Sequence, residues 1–148
     1  MKSFFASQER ITKLVYVSGL WIGTPWAANS MSRGFGVSCH NLPLSIYKEC
    51  GALPKDFVNI KGDPAKMKHA TESIIAKFID ARKEFVRVDG ELMPGDLVGI
   101  RIYRHVDHLG LVLPGNSFIH VLVHKNTSID LMVSPWKERI KAAWRINE

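Results

Sequence analysis

Residues 34–53, GFGVSCHNLPLSIYKECGAL, run from a glycine-punctuated loop through a cysteine into an amphipathic helical pattern. Leu42, Ile46, Tyr47 and Cys50 recur at helical spacing, and Gly51 stands where a helix C′ residue is wanted. Cys39 then lies in or just before the first helical turn, where free backbone N–H groups and the macrodipole favour negative charge. The expectation is a thiol of lowered pKa with a useful thiolate fraction near neutrality. Gly34 and Gly36 leave room for another chain to approach the sulfur. The plainer alternative is that Cys39 is a small buried hydrophobe.

Around this stretch the chain of 148 residues has the size of one domain, with 46% hydrophobic and 23% charged residues. No run approaches the ~18 apolar residues of a membrane span, so no membrane insertion is expected. The opening, MKSFFASQER, has too short an apolar patch for a secretory signal, so the expectation is a chain made in the cytoplasm. Cys39 and Cys50, on what reads as one helix, would stand about 16 Å apart, too far for a disulfide. The net charge of +6 suits a polyanionic neighbour. No basic run interleaved with aromatics makes that neighbour a nucleic acid.

Upstream, Ser7 is a candidate N-cap for a helix with Ile11, Leu14, Val15 and Ser18 on one face, ended by the Gly19–Gly23 region. Downstream, residues 52–62 read as irregular. Asp63 and Pro64 then read as N-cap and N1 of a long helix to about Arg82, with Met67, Ala70, Ile74 and Phe78 inward. Short β-like runs follow at 84–88, 97–103, 108–113, 117–123, 129–133 and 142–146, with turns at 93–96 and 114–116. Helices first and an antiparallel sheet afterwards make an α+β domain covering residues 1–148, without repeat or linker.

His108 opens one strand run and His120 lies in the next, after the Pro114-Gly115 turn, so a hairpin sets them side by side. If that sheet packs on the cysteine helix, a thiol and two imidazoles converge, the nucleophile, base and orienter of a cysteine hydrolase. A zinc site of Cys39, His108 and His120 is the competing constellation, although no Cys-x-x-Cys or His-Glu-x-x-His accompanies it.

The order Gly23-Thr24-Pro25-Trp26, Gly34 to Leu42 around Cys39, Pro94-Gly95-Asp96-Leu97, His108-Leu109-Gly110-Leu111 and Phe118-Ile119-His120 resembles the NlpC family of papain-like cell-wall cysteine endopeptidases. The likeness runs from about residue 8 to 146. It is greatest to the compact branch of phage tails and gene-transfer-agent tail hubs, through Arg33–Gly36, Trp136-Lys137-Glu138-Arg139 and Ala143-Trp144-Arg145-Ile146.

The resemblance implies a papain-like NlpC fold, with helices packed on an antiparallel sheet of about five to six strands. It implies Cys39 as nucleophile, His108 as general base and His120 as the residue orienting it, with no cofactor and no metal. The backbone N–H of Cys39 would help form the oxyanion hole. Two positions depart from the family pattern at its substrate-binding residues: Trp26 stands for a tyrosine and Ser38 for an acid. His40 replaces a small residue and reads as a surface position, like His69, His105 and His124; Cys50 reads as core.

The implied function is hydrolysis of peptide or amide bonds in peptidoglycan stem peptides. The implied setting is a phage or phage-like tail, with tail hub or tip proteins as partners. The alternatives are a tail hub or assembly protein that keeps the fold without the activity, and a cytoplasmic amidase or acyltransferase of the same fold.

Overall fold

The structure, a computed structural model, describes residues 2–62, 66, 70 and 72–148. Helix α1 spans Gln8–Trp21, and its cap is the expected one, because the Ser7 side chain accepts the Arg10 N–H. Its inward face is Leu14, Val17, Ser18 and Trp21, not the face through Val15, which is 46% exposed. A small ribbon follows, strand β1 (Met31–Ser32) pairing antiparallel with β2 (Gly36–Val37). Helix α2 covers Asn41–Glu49, with Cys50 as C-cap and Gly51 at φ +79°, the left-handed C′ position expected for it. Every residue from Asn41 to Tyr47 is buried, so α2 is covered on more than one side.

The expected long helix to Arg82 is much shorter among the described residues. Helix α3 spans Ile74–Asp80 and starts at Ser73, whose Oγ accepts the Ala76 N–H and donates to the Val106 carbonyl at 2.6 Å. That second bond ties the helix start to the sheet, so the boundary is set by a tertiary contact. Ile75 and Ile79 point inward, while Ile74 is exposed. Ala70 is not helical. The expected cap at Asp63, Pro64 and the inward Met67 lie outside the described residues, as does His69.

The second half builds an antiparallel sheet of β3 (Phe85–Arg87), β4 (Leu97–Arg101), β5 (Val106–Leu113), β6 (Ser117–His120), β7 (Ser128–Leu131) and β8 (Ile140–Ile146). Its strand order is β3-β8-β4-β5-β6-β7, and the four-residue helix α4 (Trp136–Arg139) leads into β8. The chain is thus α+β, with four helices and antiparallel sheets of six and two strands among the described residues, as the sequence patterns indicate.

One face of the six-stranded sheet, carrying Leu109, Leu111, Ile119 and Trp144, packs with Leu14, Leu42, Ile46 and Tyr47 of the helices into the main core. The opposite face holds a smaller core of Val98, Ile100, Val112, Phe118 and Ala143, partly covered by Met132, Trp136 and Ile140. Gly110 is required there: a Cβ would meet Phe118 Cδ2 at 2.8 Å, so the glycine lets Phe118 lie flat against β5. Two ties hold the turn that leads into β4. Tyr47 Oη donates to the Gly95 carbonyl at 2.7 Å, and Arg145 forks onto both oxygens of the buried Asp96 at 2.8 Å each. Among the described residues no helix is long and apolar enough to cross a membrane.

Candidate active site

Cys39 sits two residues before α2, not within it. The hydrogen bond expected of an N-cap comes from Ser38, whose Oγ accepts the Asn41 N–H at 3.2 Å, while His40 makes no side-chain cap bond. The sulfur reaches the sheet. Its partners are the backbone N–H of Leu109 and the N–H groups of Cys39 and His40. The ladder between β5 and β6 ends at Leu111↔Ile119. The Leu109 amide thus goes to the thiol, which docks where the two strands stop pairing.

Cys39 and His108 line one cavity of about 280 Å³. Its walls also include Trp26, Ala28, Asn29, Ser38, His40, Gly62, Ile102, Tyr103, Asp107, Leu122, Val123 and Lys125. Both expected substrate-binding residues, Trp26 and Ser38, therefore face this space. Trp26 is held by a bond from its backbone N–H to the Lys125 carbonyl at 2.8 Å and by an edge contact of its ring with the His124 ring at 5.3 Å. Thr24 staples the same walls. Its Oγ1 accepts the Gly34 N–H, and its carbonyl accepts both the N–H and the Oγ1–H of Thr127. The Asp107 carboxylate accepts the N–H groups of Ile102 and Tyr103 at 2.8 and 3.1 Å and so shapes the turn at the mouth.

Behind the cavity runs a chain of hydrogen bonds. His108 Nε2 lies 2.8 Å from His120 Nδ1, and His120 Nε2 lies 2.6 Å from Asp130 Oδ2. The hairpin of β5 and β6 brings the two imidazoles together as the sequence led us to expect. Asp130 belongs to β7, where it pairs with Phe118, so it is the diagonal cross-strand neighbour of His120. Trp136 closes the chain from outside, edge-on to His120 at 4.8 Å and against Phe118 at 5.6 Å. Asp130 was not singled out in the sequence. The available signal is its place two residues before Met132, which lies just past β7 and packs with Phe118 in the smaller core.

The electrostatics reverse one expectation. Burial pushes the Cys39 thiol up to about 12, and the nearby Asp107 carboxylate adds to that rise. The three N–H bonds to sulfur pull the other way and do not overcome it, because the burial of the thiol is the larger effect. Burial also holds His108 well below its ordinary value, helped by His120 and His40. Thiol and imidazole therefore rest as a neutral pair, and a thiolate forms only as a base takes the proton. His120 is lowered by burial and lifted in part by Asp130.

His40, expected at the surface, is buried at 7% exposure; burial lowers it to about 4, and its Nε2 lies 3.4 Å from the Asp107 carbonyl oxygen. His105 is half-buried against the Ala70 carbonyl, His124 is exposed, and Cys50 is core as expected. No group of three or more His, Cys, Asp or Glu among the described residues is placed to hold a metal ion. The two histidines bond each other at 2.8 Å.

No protein-family model matches this sequence, and no curated protein does either. Solved structures do share the fold. A lipoprotein-like protein of the NLP/P60 family from Staphylococcus aureus subsp. aureus Mu50 superposes with TM-score 0.62 at 18% identity, over 100% of this chain and 45% of that one. An NlpC/P60 family protein from Bacillus cereus ATCC 10987 gives 0.59 at 19% identity, over 92% of this chain and 40% of that one. The NlpC/p60 domain of the peptidoglycan hydrolase SagA gives 0.54 at 14% identity, over 93% of this chain and 98% of that domain. The chain thus spans less than half the length of the first two proteins. Its fold is that of NlpC/P60 proteins.

Proposed function

We propose that this chain is an NlpC-type cysteine peptidase whose substrates are the stem peptides of peptidoglycan, with residues 1–148 forming one catalytic domain. The observation that carries the reading is the thiol of Cys39 in a cavity it shares with His108, which is in turn hydrogen-bonded to His120. Its occurrence on a fold shared with a peptidoglycan hydrolase supports the choice of substrate.

In this reading His108 takes the Cys39 proton as the sulfur adds to an amide carbonyl carbon. A C–S bond forms, and the carbonyl π pair moves to oxygen, where the Cys39 N–H stabilises it. The tetrahedral adduct collapses, the C–N bond breaks, and the amine leaves with the proton from His108. Water, deprotonated by the same imidazole, then attacks the thioester, releasing the carboxylic acid and restoring the thiol. His120 holds His108 in one orientation and stabilises its transient cation. Trp26 and Ser38 line the space a substrate would occupy, although the Ser38 hydroxyl is already committed to capping α2.

A tail-borne setting is part of the proposal and rests on the sequence likeness through Arg33–Gly36 and Trp136–Arg139. A second reading, a tail hub or assembly protein without activity, is favoured by one observation: the thiol and imidazole are both buried and both neutral at rest.

The test is digestion of purified peptidoglycan by the wild type and Cys39→Ser, with mass analysis of released fragments. New peptide ends from the wild type alone carry the hydrolase reading. Identical digests from the two proteins, across walls of differing stem peptides, favour the inactive scaffold.

A further inference from the structure

The two histidines form a chain that is ambiguous by itself. Each neutral imidazole has one N–H and one lone pair, and a chain of two can point its protons either way. Asp130 removes the ambiguity. A carboxylate has no hydrogen to give, so the 2.6 Å contact with His120 Nε2 requires the hydrogen on that nitrogen. His120 Nδ1 must then be the lone pair, and the 2.8 Å contact requires His108 Nε2 to carry its hydrogen. The ring nitrogen left to His108 is Nδ1, bare and able to accept.

We infer that Asp130 is a positioning residue which, acting through His120, sets the tautomer of His108 that can take the Cys39 proton. It touches neither cavity nor substrate; it sits at the far end of the chain on the outermost strand. The opposite polarity would put a hydrogen on His108 Nδ1 and leave that nitrogen nothing with which to accept a proton. Phe118 and Trp136 pack on the His120 ring at 4.5 and 4.8 Å and oppose its turning over, and the His108 ring faces Trp136 at 6.4 Å. The titratable groups facing this chain are Asp130 from β7, His40 and Cys39 from the lead-in to α2, and Asp107 beside the sulfur.

The inference rests on the reading of His108 as the base for Cys39, and not on the nature of the substrate. Asp130→Asn tests it in the full chain. An asparagine can donate from its NH₂ to His120 Nε2, which permits the reversed polarity at nearly unchanged shape. Long-range ¹H–¹⁵N correlation of histidine-labelled protein reads the tautomers, and iodoacetamide alkylation read by mass across pH reports thiol activation, with Cys50 as internal standard.

The expected result is hydrogen on Nε2 of both histidines in the wild type. In Asp130→Asn we expect loss of that single pattern and a fall in Cys39 alkylation at neutral pH of about tenfold or more, with Cys50 unchanged. A merely structural aspartate would alter neither the tautomer nor the ratio of the two thiols. Hydrogen on His120 Nδ1 in the wild type overturns the inference even if the variant does not fold. So does a folded Asp130→Asn that keeps the wild-type tautomers and alkylates Cys39 within about twofold of wild type, below the range a positioned base contributes. Because neither readout uses cell wall, failure to cleave peptidoglycan bears only on the proposed substrate.

Discussion

Leu109, the residue after His108 on β5, donates its backbone N–H to the sulfur of Cys39. The proposed nucleophile and base are thus both tied to neighbouring residues of one strand, Cys39 through a main-chain bond and His108 as its own side chain.

From this neutral pair it follows that proton transfer should accompany attack. His108→Ala is expected to lower turnover of a stem peptide by about 10²–10⁴-fold, the range a positioned general base contributes. His120→Asn keeps an acceptor for the His108 N–H and should retain more turnover than His108→Ala. Steady-state rates at equal folded concentration check the order, and the reverse order would exchange the two roles.

His40 ties stability to pH. Its value falls from 6.5 to about 4 on burial, so the unfolded chain binds the proton more readily than the folded one. Stability is complete above 6.5 and is lost as pH falls toward 4, by about 3 kcal/mol once both states are protonated. Buried His108 and His120 act in the same direction. Urea midpoints between pH 7.5 and 4 should fall steeply for the wild type and less steeply for His40→Gln; parallel curves would remove His40 from the account.

The Pro94-Gly95-Asp96-Leu97 segment belongs to stability and not to chemistry. Asp96 is 1% exposed, and besides the Arg145 fork it accepts the Met93 N–H at 2.8 Å. Asp96→Ala leaves Arg145 and a turn N–H without that acceptor, and the expected cost is about 3 kcal/mol, the lower end for a broken buried pair because Arg145 is partly solvated. Chemical denaturation measures it, and a loss below about 1 kcal/mol, as for a surface pair, would contradict this placement.

Tyr47→Phe is a smaller test of the same joint. The phenol of Tyr47 is fully buried and its hydroxyl serves the Gly95 carbonyl. Removing it strands that carbonyl, at an expected cost of about 1–3 kcal/mol with the fold otherwise unchanged. A melting curve alongside the wild type decides it.

Much of the fold could be read from local chemistry. Ser7 and Gly51 mark helix ends through their own conformational preferences, and the turn at Pro114-Gly115 joins the strands that carry His108 and His120. What escaped depends on contacts distant in sequence. Ser73 starts α3 because Val106 offers it a carbonyl, and a periodicity argument cannot see that bond. His40 is polar and follows a loop, yet it packs beneath Asp107, 67 residues further on. The thiol of Cys39 was misjudged for the same reason: the helix N-terminus was legible, but the burial that outweighs it was not. Asp130 is not legible as a partner in the sequence, because only the register of β6 with β7 puts it beside His120.

That edge position has a thermal consequence. β7 ends the sheet and pairs with β6 alone, and most of its residues are exposed, so it is among the strands that open at least cost. When it peels away, the imidazoles lose their anchor while the core between the helices and the central strands stays intact. The protein should therefore go silent on warming before it melts. Its operating ceiling is then set by the fraying of four residues, not by the cohesion of the whole.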